Sequence, residues 1–191
     1  MKYGVLTFLK LVFFVLYSKS FFGFKIRVFK GFPLLLNRKL IFFGDGFTAG
    51  KDFRCEVVNE TGVIRFGKNV KVNDYVHIGA SDSIKIGDNV LIGSRVTIVD
   101  HDHGKYLGFA QSSPQEAPDK RELISQSIKI CENCWIGEGV VILKGVTIPA
   151  GTIVGANSVV TKSPNKACIL GGIPARVLKV YDDESCSWIK K

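Results

Sequence analysis

The sequence predicts an all-β chain: a parallel β-helix wound from hexapeptide repeats, with an N-terminal apolar and basic segment and a protruding loop. Three observations predict it. Apolar residues fall on a six-residue beat at Phe66, Val72 and Ile78, at Ile86, Ile92 and Ile98, and at Ile130, Ile136, Ile142, Ile148, Val154 and Val160. Glycine follows the beat residue at Gly67, Gly79, Gly87, Gly93, Gly137 and Gly155, and valine recurs four residues after it at Val70, Val76, Val90, Val96, Val140 and Val146. The beat lapses once at length, between Ile98 and Ile128. A hexapeptide period marks a chain that bends at small or polar corners, stacks short strands and points one apolar residue per strand into a shared interior.

Residues 1–44 form the first element, a basic aromatic segment expected to cap the β-helix or touch a membrane surface. Of a net charge of +9, eight charges lie here, on Lys2, Lys10, Lys19, Lys25, Arg27, Lys30, Arg38 and Lys39, and no acid accompanies them. Ten of the fourteen phenylalanines share the segment. The apolar run from Val5 to Tyr17, broken by Thr7 and Lys10, falls short of the roughly 20 residues of an ordinary membrane span. No small-residue cleavage site follows it, which argues against a signal peptide. Two readings stay open and are compatible: a contact with the headgroups of an anionic membrane, or a helix that closes the open end of the solenoid or packs on a neighbouring subunit. Nucleic acid is not an expected partner, because the main domain has neither a recognition motif nor a basic pattern.

Residues 45–180 carry the repeats. Strands stacked about 4.8 Å apart in four to five coils give a prism on the order of 20 to 25 Å tall. Five cysteines, Cys55, Cys131, Cys134, Cys168 and Cys186, in a chain without an export signal are expected to be reduced thiols of a cytoplasmic protein. The Cys131/Cys134 spacing invites a zinc or redox reading. Cys134, however, occupies a valine slot of the beat, and no second pair completes a four-ligand site, so no metal is expected. A tail, residues 181–191, ends the chain.

The lapse in the beat leaves a loop, 101–127, with Pro114, Pro118 and mixed charges. A long structureless insertion in a compact repeat is commonly functional. Two of the three histidines, His101 and His103, stand at its root.

The stretch VTIVDHDHG resembles the loop of galactoside, maltose and polysaccharide O-acetyltransferases, within the hexapeptide-repeat acyltransferases. The resemblance spans roughly residues 45 to 180. It implies a left-handed β-helix, a homotrimer with sites between subunits, and a loop that reaches toward a neighbour. It also implies a catalytic histidine after the last hexad before the loop, which falls on His101. Neutral imidazole, with an ordinary pKa near 6.5, can take the proton of a sugar hydroxyl as that oxygen attacks the acetyl-CoA thioester, without an acyl-enzyme. Asp100 or a backbone carbonyl would hold the other ring nitrogen; His103 is the second candidate base or an acceptor-binding group. Asn73, thirteen residues before Ile86, matches the position of an acceptor-contacting asparagine of the galactoside enzymes. Asparagine at such a corner also bonds locally to the turn backbone.

WIG, GANSVVTK and GIPAR resemble the coenzyme A half of the same family. The match implies a pantetheine arm passing Glu138, Ala156 and Thr161, with Lys162, Arg176 and Lys179 toward the nucleotide phosphates, a task suited to cations. The family often has serine where Glu138 stands. The segment IFFGDGFTAGKDFRCEV resembles the entry strand of surface-polysaccharide O-acetyltransferases. The expected activity is therefore acetyl-CoA-dependent O-acetylation of a sugar hydroxyl in O-antigen or capsule assembly, in the cytoplasm or at the inner face of its membrane. N-acetylation of a nucleotide-linked amino sugar is the nearest alternative; a zinc-dependent hydratase and a noncatalytic scaffold are the alternatives from other classes.

Overall fold

The computed structural model describes residues 4–191. After helix α1 (Val5–Phe22) the chain winds through three parallel sheets that form the sides of a prism. The first sheet has nine strands, the second six and the third five. Five coils therefore cross all three faces, and the first two sheets extend beyond them, a taller stack than four to five coils.

The β-helix begins earlier than residue 45. Ile26–Phe29 pairs in parallel with Phe47–Ala49, Leu34–Leu36 with Arg54–Val57, and Ile41–Phe42 with Val63–Phe66. These strands hold the first coil, and only α1 and the turn after it lie outside the stack. The far end differs too. Ala175–Asp182 and Ser187–Lys190 are antiparallel strands added to the first sheet beside Cys168–Gly172, so residues 181–191 belong to a hairpin and are no separate tail.

The beat residues behave as their period requires. Val72, Ile92, Ile136, Val154 and Leu170 stack on the first sheet, Ile78, Ile98, Ile142 and Val160 on the second, and Phe66, Ile86, Ile130 and Ile148 on the third, all buried. Val70, Val76, Val90, Val96, Val140 and Val146 fill the corners between them, and Cys134 sits buried in its valine slot. The lower end is aromatic: Phe29, Phe43, Phe47, Phe53 and Phe66 pack together, and Phe22 of α1 lies edge-on to Phe29 at 4.8 Å. Ser18 anchors the helix to this plug, donating to the Phe14 carbonyl and accepting the Phe29 amide at 2.8 Å.

One corner explains a repeated asparagine. Asn69, Asn89 and Asn133 each hold a left-handed φ of 55° to 58° between the third and first sheets, a conformation that asparagine tolerates better than most residues. Their amides bond upward, Asn69 to Asn89 at 3.3 Å and Asn89 to Asn133 at 3.2 Å.

Candidate active site

The corner where the chain leaves the second sheet is the least regular part of the prism. Ile86 comes eight residues after Ile78, not six. The two additional residues bulge between His77–Ala80 and Ser83–Ile86, and their amides have work to do. Ser81 N–H donates to Asp100 Oδ1 at 2.7 Å, and Asp82 N–H to Oδ2 at 2.9 Å. Asp100, in the coil above, is fully buried; those amides replace the water its carboxylate gives up.

Asp100 Oδ1 also lies 3.1 Å from Nδ1 of His101. Both carboxylate oxygens already accept backbone N–H groups, so Nδ1 is the donor in this contact. That tautomer leaves the lone pair on Nε2. The His101 side chain is 9% exposed, which places its ring in a crevice and out of bulk water. Of the two expected partners for the ring, the structure selects Asp100 over a backbone carbonyl.

His103 lies close by, with ring centroids 6.1 Å apart, but it is exposed. The loop that follows is not structureless along its whole length. His101–His103 pairs antiparallel with Leu123–Ser125, and Pro118–Lys120 forms a turn of 3-10 helix. Lys144, from the next coil, pins this ribbon through Asp102 at 2.5 Å. Beyond it, Leu107 and Phe109 stand exposed at the tip.

A second constellation, missed in the sequence, faces His101. On the outer side of the second sheet His77 Nε2 lies 2.8 Å from Glu56 Oε1, and Arg54 holds the same carboxylate with contacts of 2.8 to 3.0 Å. Burial pushes the Glu56 carboxyl up, but the hydrogen bonds from Arg54 and His77 outweigh it and hold the group below its ordinary range. Gly79 separates the two imidazoles: a Cβ there would sit 3.4 Å from His77 Nε2 and 3.7 Å from His101 Cε1. The missing side chain leaves a floor between them. The available signal was that His77 is the third of only three histidines and precedes a beat residue.

The remaining expected residues divide between two edges of the second sheet. Asn73 is exposed at the opposite corner, where the chain enters that sheet, and its amide bonds to the Ile92 carbonyl. Gly93, Gly137 and Gly155 continue the same column, which brings Glu138 and Ala156 onto it. Gly171 lies above Gly155 and pairs with Arg176, so Arg176 tops the column, while Lys179 pairs with Ile169 farther back on the first sheet. Thr161 and Lys162 instead follow Val159–Val160 and share the His101 edge. All six residues expected to meet the coenzyme are exposed. Within one chain Asn73 and His101 are not brought together. Glu138 is paired at 2.6 Å with Arg95.

The cysteine pair forms no centre. Cys134 donates to the Pro149 carbonyl at 3.1 Å and its thiol is pushed up to about 11 by burial, which disfavours the thiolate a metal would need. Among the described residues no group of three or more His, Cys, Asp or Glu converges as a metal site.

Coil, corner and ribbon define the class: a hexapeptide β-helix carrying an imidazole–carboxylate pair beside an inserted loop. Residues 127–162 match the bacterial transferase hexapeptide family of six repeats, and residues 83–104 the hexapeptide repeat of succinyl-transferase. WbbJ of Escherichia coli K12, a candidate lipopolysaccharide biosynthesis O-acetyl transferase, is 40% identical over 191 residues, covering 99% of this chain and 96% of that protein. The galactoside O-acetyltransferase of the same organism is 35% identical over 120 residues, 63% of this chain and 55% of that one. The crystal structure of the hexapeptide-repeat acetyltransferase VCA0836 of Vibrio cholerae, complexed with acetyl coenzyme A, is similar at a TM-score of 0.55 and 29% identity, over 87% of this chain and 75% of that one. The chain belongs to the hexapeptide-repeat acetyltransferases.

Proposed function

We propose that the protein transfers the acetyl group of acetyl-CoA to a sugar hydroxyl during assembly of a surface polysaccharide, with His101 as general base. The observation that carries this reading is the His101 ring, sheltered in a crevice, with Nδ1 committed to Asp100 and Nε2 free. In the step, Nε2 takes the hydroxyl proton, the oxygen attacks the thioester carbonyl, and the tetrahedral intermediate collapses to release the coenzyme A thiolate, which recovers the proton from the imidazolium. His77, steadied by Glu56, flanks the same glycine and is placed to orient the acceptor. The full-length similarity to a lipopolysaccharide O-acetyl transferase and the acetyl-CoA complex of VCA0836 support the choice of donor and acceptor class.

Division of the expected residues between two edges supports a homotrimer. A head-to-tail contact closed into a threefold ring sets the His101 edge of one subunit against the Asn73 and Glu138 edge of the next, with acetyl-CoA in the cleft. Leu91 and Trp135, neighbours on the outer face of the first sheet and both exposed, are available for such a contact.

The test is acetyl transfer from acetyl-CoA to panels of hydroxyl and amino sugars, with wild type and His101→Ala. The expected result is transfer to hydroxyl sugars and a loss in kcat per folded molecule of about 10² to 10⁴-fold in the variant, with the fold retained by circular dichroism. Substantial turnover by the variant would remove His101 from the reaction. Preference for amino sugars would replace O-acetylation by N-acetylation.

A further inference from the structure

We infer that α1 and the first coil form a membrane-binding surface whose partner is an anionic phospholipid bilayer. The helix is 18 residues long, and Ser18 alone among them is buried. Val5, Leu6, Leu9, Val12 and Leu16 project into solvent, a large cost for a soluble chain. Its apolar surface is no narrow stripe. Helices that pack as a bundle seam bury one face and keep the rest polar, whereas here side chains on all sides are apolar and the mean hydropathy of the helix is 1.7.

The charged residue in mid-helix fits the same picture. Lys10 does not point with Leu9 and Leu16; it lines a groove between α1 and the first coils with Lys30 and Lys51, walled by Phe13, Phe14 and Phe32. That groove, about 750 Å³, brings three lysines and one acid, Asp52, together with apolar walls, a net positive lining that suits a phosphate joined to an acyl chain. Lysine stems lie along apolar surface while their heads reach the phosphates.

Charge selects the bilayer over a second copy of the chain. Residues 1–44 carry eight basic residues and no acid, so two such ends placed together repel. Lipid phosphates supply the missing negative charge. At about 1.5 Å per residue the 18-residue helix is close to 27 Å long. Anchored by Ser18 and Phe22 to the aromatic plug, it would hold the base of the prism at the headgroups, with the His101 corner raised two to three coils above them.

Flotation of the full-length protein with vesicles tests this, using phosphatidylcholine alone and phosphatidylcholine mixed with phosphatidylglycerol. The wild type is expected to float with the anionic vesicles, and added salt to weaken but not abolish binding. The double variant Leu9→Glu/Leu16→Glu is expected to lose at least about tenfold in bound fraction, while its melting temperature and acetyl transfer to a soluble acceptor stay unchanged. Equal flotation of variant and wild type would overturn the inference, as would failure of the wild type to float. A variant that instead drops to a smaller oligomer by light scattering would assign the helix to a second copy. Flotation, melting temperature and light scattering do not depend on the proposed reaction, so the membrane inference stands or falls apart from it.

Discussion

Where the chain enters the second sheet its corners are short and alike; where it leaves, successive coils turn differently. At entry, Tyr75, Arg95, Gly139 and Asn157 each take a left-handed φ between 57° and 69° at equivalent places. Backbone lies on backbone there: a Cβ on Gly93 would stand 2.6 Å from the Glu138 nitrogen, and one on Gly137 2.7 Å from that of Ala156. At exit, five residues separate Val57 from Val63, two separate Ala80 from Ser83, and a whole ribbon separates Val99 from Ile128. Asn59 donates to Ser81 at 2.8 to 2.9 Å, Ser81 and Asp82 donate to Asp100, and Ser127 donates to Asp82 at 2.6 Å. The regular edge offers a uniform rail for an extended ligand, and the irregular edge uses added residues to hold a buried carboxylate and a directed imidazole. Periodicity builds a scaffold; departures from it position chemistry.

The strongest consequence falls on Asp100. Asparagine preserves its shape but replaces one acceptor oxygen by NH₂, so at least one of Ser81 N–H, Asp82 N–H and His101 Nδ1–H loses its acceptor. A buried donor left without a partner costs about 1 to 3 kcal/mol, and an unheld imidazole is no longer biased toward the competent tautomer. Asp100→Asn is therefore expected to lower kcat per folded molecule by about 10²-fold or more, with the KM for acetyl-CoA unchanged and the melting temperature reduced. Lost stability with kcat intact would make Asp100 a structural group only.

The regular edge should respond in KM. The Arg176 side chain is exposed and donates to its neighbour's carbonyl, Ala175 at 3.1 Å, so removing it should leave the fold intact. If it meets a coenzyme phosphate, loss of one charge-assisted hydrogen bond of about 1.5 kcal/mol raises the KM for acetyl-CoA roughly tenfold. Steady-state kinetics of Arg176→Ala at saturating acceptor reads this directly, and an unchanged KM would move the phosphates elsewhere.

How much of this was legible in the sequence follows the same division. Beat, valine slots and glycines are local properties of a period, so the interior, the corner role of Cys134 and the place of the loop could be read directly. The first coil escaped because phenylalanines such as Phe29 and Phe43 stand where the hexads carry aliphatic residues, and its basic charge suggested a separate segment. Two-residue bulges look like noise in a hexad count, yet Ser81 and Asp82 are what hold Asp100. The Arg54–Glu56–His77 group escaped for another reason: its members come from adjacent strands more than twenty residues apart for Glu56 and His77, and only sheet register joins them.

That group carries a pH signature. Because the Glu56 carboxyl is held below its ordinary range in the folded protein, its stabilisation is present above the unfolded value and is lost as pH falls through the folded one. Glu56→Gln should therefore cost about 1 kcal/mol at neutral pH, discounted for the half-exposed Arg54. The cost should vanish in acid, where wild type and variant both carry a neutral side chain. Melting curves from neutral to strongly acidic pH give the comparison, and a cost independent of pH would locate the effect in packing.

Glu138 should give the smallest effect and the finest distinction between the edges. Its partner Arg95 is 68% exposed and Glu138 itself 55%, so the pair contributes no more than about 0.5 to 1 kcal/mol. If the entry edge binds the pantetheine arm through its stacked backbone, the side chain at this corner is dispensable. Removing a carboxylate near the path of a polyanionic nucleotide then leaves the KM for acetyl-CoA unchanged or slightly lower. Glu138→Ala measured beside Arg95→Ala separates the contributions, since both break the pair but only one removes the negative charge. A higher KM in Glu138→Ala alone would mean that the carboxylate itself grips the coenzyme, and the regular edge would then be as dependent on one particular side chain as the irregular edge is on Asp100.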